Sequence, residues 1–238
     1  MFAISFLAIC TMAIVSIRSS LPTENHDEKP IVIPAGMALV PSGEFIYGSD
    51  DEDADDDVKP ARRISLPGFL IDLHEVTNRE YQKYDPNHAF LPGEEDLPAT
   101  GVLYNEAEAY AKSAGKRLPT DEEWEKATRG TDGRRYPWGN TWDAGKVAAR
   151  AKGDKSKLVL TKRANLCRVG PSRVSRTGTH PEGNSPYGCV DMAGNAWEWV
   201  QGYYQGNKDQ RILRGGAVGY GERACRAYNR GIEGSGST

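Results

Sequence analysis

Cysteine is scarce. The 238-residue chain has four, at positions 10, 167, 189 and 225, and no two stand as a C-x-x-C pair. That excludes the common zinc-ribbon, thioredoxin-like and c-type haem signatures. The four histidines, His26, His74, His88 and His180, are scattered without ligand spacing. Positive charge is not in excess either: 30 Lys and Arg face 33 Asp and Glu, a net charge of −3. A nucleic-acid-binding face needs a basic stripe, so that partner class is excluded. No internal repeat or low-complexity tract is present. What the chain has instead is 26 Gly, 14 Pro, five Trp and eleven Tyr. Such a composition points to a loop-rich fold of short elements rather than a helical bundle. The length is enough to bury a sizeable core.

One long apolar run exists, at the N-terminus. "MFAISFLAICTMAIVSI" covers 17 residues without a charge, and Arg18 follows. As a helix it would span about 26 Å at 1.5 Å per residue, the short end of what a bilayer core of about 30 Å requires. No Lys or Arg precedes the run, and "SIRSSL" is a poor cleavage site. Residues 1–18 therefore read as an uncleaved transmembrane anchor, with a removed signal peptide as the alternative. Arg18 pulls the C-terminal side inward by the positive-inside rule, and Glu24, Asp27 and Glu28 contribute little. Residues 19–34, polar and proline-bearing, read as a linker to a single domain over 35–238.

Within that domain, "MALVPSGEFIYG" (37–48) predicts a hairpin turning at Pro41-Ser42-Gly43. "RRISLPGFLIDLHEVT" (62–77) continues the strand pattern. Between them "SDDEDADDD" (49–57) invites a calcium-loop reading, but from Asp51 the sixth and twelfth positions hold Asp56 and Arg62 rather than Gly and Glu. It reads as a solvated acidic loop. Three helices are expected. Thr77 and Glu80 form a capping box for "NREYQKY". "LYNEAEAYAKSAG" places Ala107, Tyr110 and Ala111 on one face and stops at Gly115. Thr120 and Glu123 cap a third, with Trp124 and Ala127 inward and Gly130 as its stop. Beyond Gly130 short strands around glycine turns are expected, and no helix. The class is α+β.

Six stretches in one order are more specific than any alone: "GMALVPSGEFIYGSDD", "IDLHEVTNREY", "GKRLPTDEEWEKATRG", "YPWGNTWD", "SPYGCVDMAGNAWEWV" and "RILRGGAV". Together, over Ala35 to Arg230, they resemble the formylglycine-generating-enzyme, or sulfatase-modifying-factor, domain family. The resemblance implies a variant of the C-type lectin-like fold with low regular secondary structure. It implies that Trp124, Trp138, Trp197 and Trp199 are core residues. It also implies one structural calcium, held by the carboxylates of Asp191 and Glu198 and the carbonyls of Gly194 and Ala196; hard oxygens in a glycine turn suit that ion. The family's second calcium loop does not carry over, because "RVGPSRVSRTGTH" after Cys167 has no carboxylate. The family also continues into one more closing strand, which the glycine- and serine-rich tail "GIEGSGST" (231–238) is not expected to supply.

Family enzymes hold Cu(I) between two cysteine thiolates. On this chain the first cysteine falls on Tyr220, the second on Cys225, and the serine after the glycine pair on Ala217. A phenol is a hard donor with an ordinary pKa of about 10, whereas Cu(I) selects soft sulfur. Copper is therefore not expected, and Ala217, Tyr220 and Cys225 read as a degenerate site. Cys167, Cys189 and Cys225 are candidates for one disulfide, Cys189–Cys225 first among the pairings. The functional expectation is a membrane-anchored, non-catalytic domain serving as a structural or docking subunit of a membrane-associated complex. Its globular part is placed on the extracytoplasmic, periplasmic side, where a disulfide is allowed. The alternative is an oxygen- or metal-dependent modifying enzyme with altered chemistry at Tyr220, Cys225 and Arg226.

Overall fold

The computed structural model describes the backbone of residues 4–5 and 9–10, and residues 32–147 and 174–234 in full. Its first half is organised by one long, bent hairpin. β3 (Met37–Val40) pairs with β6 (Phe69–Asp72), and β4 (Gly43–Tyr47) pairs with β5 (Arg62–Leu66). The register runs on across the bend, with Val40 opposite Phe69 and Gly43 opposite Leu66. The hairpin expected within 37–48 is thus corrected: its two strands form but do not pair with each other. Pro41 offers no N–H to a ladder, and Gly43, at φ 129°, bends the arm without reversing it. The returning arm bends at the same level, where a methyl on Gly68 would lie 3.2 Å from the Ser42 nitrogen. The acidic segment therefore forms the tip of the hairpin.

The three helices form as their local signals dictate. α1 (Asn78–Tyr84) carries both halves of its capping box: Glu80 N–H donates to Thr77 Oγ1 at 3.3 Å, and Thr77 N–H to Glu80 Oε2 at 2.9 Å. α2 (Tyr104–Ser113) ends just before Gly115, at φ 69°. β7 (Lys116–Arg117) follows. α3 (Asp121–Arg129) repeats the capping box through Thr120 and Glu123, and Gly130 closes it. Among the described residues after Gly130 only single 3-10 turns and short strands occur.

The second half contributes β8 (Trp197–Trp199), β9 (Gln210–Arg214) and β10 (Gly231–Gly234), each antiparallel to the next. β10 lies in what the sequence offered only as a glycine-rich tail. β1 (Ile4–Ser5) adds to β8 in parallel, and β2 (Ile9–Cys10) lies antiparallel between β6 and β7. These four residues of the expected anchor are therefore extended, not helical: β2 is paired on both sides and β1 on one. The rest of residues 1–31 lies outside the described residues. Among those described, no helix is long and apolar enough to cross a membrane.

α3 sits between the sheets. Trp124 and Ala127 pack against Val40, Phe69, Ile71, Met192 and Ile212 in one core cluster. A second cluster joins α1 and α2, through Tyr81, Tyr104 and Ala107, to Trp197, Trp199 and Leu213. Trp124, Trp197 and Trp199 are buried as expected. Trp138 is not: it is half-buried and stacks on Tyr136, ring centroids 5.2 Å apart and planes at 8°.

Candidate functional site

Two loops from the second half, and two segments from the first that hold them, make the candidate site. The loop after β9 begins at Arg214, whose side chain is fully buried. Its Nε donates to Asp121 Oδ1 at 2.5 Å and its Nη2 to Glu125 Oε2 at 2.9 Å, both on α3. Gly215 and Gly216 follow at φ 92° and 78°. At Gly216 no side chain fits: a methyl would stand 2.9 Å from the Ala224 carbonyl oxygen and 3.1 Å from Cys225 Sγ. The left-handed backbone adds its own penalty for any other residue.

This close approach buries Cys225. It lies at the end of the 3-10 turn Glu222–Cys225, in a cluster with Val147 and Ala193. Burial pushes its thiol up to about 12. Ala217 is completely buried as well. Tyr220 packs edge-on against Trp197, at 5.4 Å between centroids and 82° between planes. Trp197, Leu213, Tyr220, Arg223, Arg230 and Ile232 line an open cleft of about 500 Å³, and Cys225 is not part of its lining. Cys189 is buried in another cluster, beside Phe69 and Met192. Burial, opposed by the Ser185 hydroxyl, pushes its thiol to about 12. Both cysteines are free thiols. The Cys189–Cys225 disulfide is thus corrected, because each sulfur is packed into a separate apolar cluster. Cys167 lies outside the described residues.

The second loop is 191–198. Asp191 and Asn195 adopt left-handed backbone, at φ 56° and 60°. Asp191 Oδ2 accepts the Gly178 N–H at 2.6 Å. Glu198, fully buried, takes the Trp124 indole N–H on Oε2 at 2.8 Å, while its Oε1 has no partner. A third carboxylate, Glu75, joins them from the segment between β6 and α1. It accepts Asn195 Nδ2 at 2.6 Å and the Ala196 N–H at 3.0 Å. Burial first, then the charges of Asp191 and Glu198, push Glu75 well above the ordinary carboxylate range. Burial likewise raises Glu198 and Asp191. Among the described residues no Arg or Lys pairs with any of the three. Buried carboxylates opposed only by His74 and His180 near Asp191, and an orphaned oxygen on Glu198, suit a hard divalent cation. No group of three or more His, Cys, Asp and Glu side chains converges as a metal set among the described residues; the expected ligands need only two side chains, with two carbonyls.

The acidic tip of the bent hairpin is largely exposed, as its composition suggests, but it is also tied down. Its alternate aspartates reach the segment that carries Cys225. Arg135 Nε and the Tyr228 hydroxyl donate to Asp51 at 2.7 and 2.6 Å. Arg226 meets Asp53 at 2.7 Å, Arg223 meets Asp55 at 2.5 Å, and Arg230 meets Asp57 at 3.3 Å. The tip is a strap of ion pairs across residues 223–230. The sequence signal was available: aspartates two apart on one side, and Arg223, Arg226 and Arg230 on the other. Arg135, opposed by burial and helped by Tyr228, holds Asp51 at about 2, below its ordinary value of 3.8. A depressed carboxylate contributes stability above its unfolded-state pKa and loses it as pH falls through the folded-state value. Amide protection across 222–230, taken relative to the unfolded chain at each pH, is therefore expected to be high above about pH 4 and to fall towards pH 2. At neutral pH, about 1 M salt should lower it in part, because the outer pairs are exposed and screened. Equal protection at pH 2 and pH 6 would show that the strap does not depend on its charges.

A model of the sulfatase-modifying factor enzyme 1-like domain matches residues 23–238. The chain belongs to this family. Among its relatives is the inactive C-alpha-formylglycine-generating enzyme 2 of Bos taurus, 29% identical over 237 residues, covering 75% of each chain. The formylglycine-generating enzyme of Thermomonospora curvata is equally similar, at 29% over 238 residues and 74% of each chain. The uncharacterized protein YfmG of Bacillus subtilis is 31% identical over 201 residues; the match takes in 70% of this chain and 41% of YfmG. In structure, the sulfatase-modifying-factor domain described here is similar to PvdO from Pseudomonas aeruginosa, with a TM-score of 0.65 at 21% identity, covering 84% of this chain and 88% of PvdO. Active and inactive relatives are equally distant in sequence, so the site itself has to separate the two readings.

Proposed function

We propose that this sulfatase-modifying-factor domain is non-catalytic and works as a structural or protein-docking unit on a C-type lectin-like scaffold. The observation that carries the proposal is the state of Cys225. It is a buried thiol pushed to about 12, outside the adjoining cleft, and Tyr220 stands where the family places the first sulfur. A thiolate ligand or nucleophile must be reached by its metal or substrate; Cys225 has no exposed surface and does not line the cleft. The inactive bovine relative, at 29% identity, supports the same reading. The cleft beside Tyr220 persists, with an apolar floor and Arg223 and Arg230 at its side, and suits docking of a partner segment.

Loop 191–198 is proposed to bind one structural calcium through Asp191, Glu198 and the carbonyls of Gly194 and Ala196. The ion would neutralise the buried carboxylates and occupy the unpartnered side of Glu198. Attachment to a membrane through residues 1–18, with the domain on the extracytoplasmic side of a larger complex, completes the proposal. Its support is the uncharged apolar run. It requires β1 and β2 to leave the sheets they join.

One preparation tests these readings. The full chain isolated from alkaline-washed membranes, given Cu(I), oxygen and a cysteine-containing peptide, is expected to yield no formylglycine by mass spectrometry. It is also expected to bring down one stoichiometric set of proteins. A free monomer that oxidises the peptide would sink the non-catalytic reading, and release by the alkaline wash would sink the anchor alone.

A further inference from the structure

We infer that Glu75 is the positioning residue of the cation loop, acting on the backbone between its two carbonyl ligands; this rests on the calcium reading above. Glu75 is completely buried, two residues before the N-cap of α1, with both carboxylate oxygens engaged by the loop. Oε1 accepts the Ala196 N–H at 3.0 Å, and Oε2 accepts Asn195 Nδ2 at 2.6 Å. The Ala196 N–H belongs to the peptide unit joining Asn195 to Ala196. The carbonyl of that same unit accepts the Val218 N–H at 3.0 Å. The unit is thus clamped on its N–H side by Glu75 and on its C=O side by the loop that follows β9.

The clamp falls at a telling place. The Gly194 carbonyl belongs to the peptide unit before it and the Ala196 carbonyl to the unit after it. Fixing the central unit limits how far either neighbour can turn. Asn195 is held in left-handed backbone, at φ 60°. Its side chain is tied to Glu75 and to Ser175, whose N–H donates to Asn195 Oδ1 at 2.8 Å. Gly194 N–H, in the Ala193–Gly194 unit, donates to the Gly215 carbonyl at 2.7 Å, which ties the chain on the other side of the Gly194 carbonyl as well. Outer partners of this kind typically set about 10–100-fold in metal affinity. The segment that supplies Glu75 thereby couples the bent hairpin and α1 to the cation loop, some 120 residues away.

Terbium, a luminescent stand-in for calcium, tests this with the full chain. The Trp124 indole, 2.8 Å from Glu198 Oε2, is placed to sensitise it. The wild type is expected to bind one terbium ion, displaced by calcium, and Glu198→Gln to abolish the signal. Glu75→Gln keeps shape and volume but puts an amide NH2 against one of the two loop donors. It is expected to keep the stoichiometry and weaken affinity about 10–100-fold. Wild-type affinity in E75Q overturns the role of Glu75 and leaves the calcium reading standing. Absence of any signal in the wild type at millimolar ion overturns both. Should E75Q not fold, Asn195→Gly removes one of the two donors at a position whose backbone suits glycine. It must then show a weaker affinity in the same direction, and an unchanged value overturns the inference.

Discussion

Iodoacetamide at pH 8 is expected to leave Cys225 and Cys189 unmodified in the folded chain, and to label both once guanidinium unfolds it. Alkylation proceeds through the thiolate. A thiol pushed to about 12 is thiolate to roughly one part in ten thousand at pH 8, against about a quarter for an ordinary cysteine of pKa near 8.5. The ratio alone slows labelling by about a thousand-fold. Burial slows it further, because reagent must reach a sulfur with no exposed surface. Cys225 is shielded twice: by Ala224 and Gly216 in its own loop, and by the strap laid across residues 223–230 through the ion pairs of Asp53, Asp55 and Asp57 and the Tyr228–Asp51 hydrogen bond. Peptide mapping reads the two cysteines separately, so the result does not depend on Cys10 or Cys167. Rapid labelling of Cys225 in the folded chain would mean an open, activated thiol and would restore the enzyme reading.

What the sequence revealed was what is local. The capping boxes at Thr77 and Thr120 are read within four residues, and both helices form where they announce them. The glycine pair after Arg214 showed a tight loop, and Tyr220 in place of a cysteine showed a weakened site. What it hid depends on partners far along the chain. Arg226 meets Asp53 across 173 residues, and Glu75 meets Ala196 across 121. Composition describes an aspartate run as solvated, but it cannot see the arginines that the fold brings back. The hairpin failed for a related reason. A Pro-Ser-Gly step marks a change of direction, but only the pairing partner tells whether the chain reverses or bends, and that partner lies beyond the acidic tip. Glu75 left a faint trace, a carboxylate inside the otherwise apolar stretch that enters α1.

Replacing Arg214 with alanine is expected to cost about 3–5 kcal/mol, the range for breaking a buried ion pair. In a domain of this size that lowers Tm by roughly 10 °C or more. Arg214 has no exposed surface and holds together elements that local signals alone would leave apart. Its guanidinium bridges Asp121 and Glu125 on α3, and its Nη1 donates to the carbonyls of Ala227 at 3.1 Å and Asn229 at 3.3 Å. Loss of the side chain leaves Asp121 with Arg230 at 2.8 Å and Glu125 with Arg129 at 2.9 Å. Because Arg230 also serves Asp57, three buried or half-buried carboxylates then share two guanidiniums, and the network is one positive charge short where water screens it weakly. Although burial pushes Asp121 up, Arg214 and Arg230 outweigh it and hold it at about 2, below 3.8. That contribution is present above about pH 4 and is lost as pH falls through about 2. The R214A deficit should therefore be largest at neutral pH and narrow in acid. Arg214→Lys keeps the charge but cannot span both carboxylates, so it should fall between wild type and R214A. Chemical unfolding at pH 7 and pH 3 measures all three. A deficit below about 1 kcal/mol, the value of an exposed pair, would mean that water reaches the network and that packing around Trp124, rather than charge, fixes the loop carrying Tyr220 and Cys225.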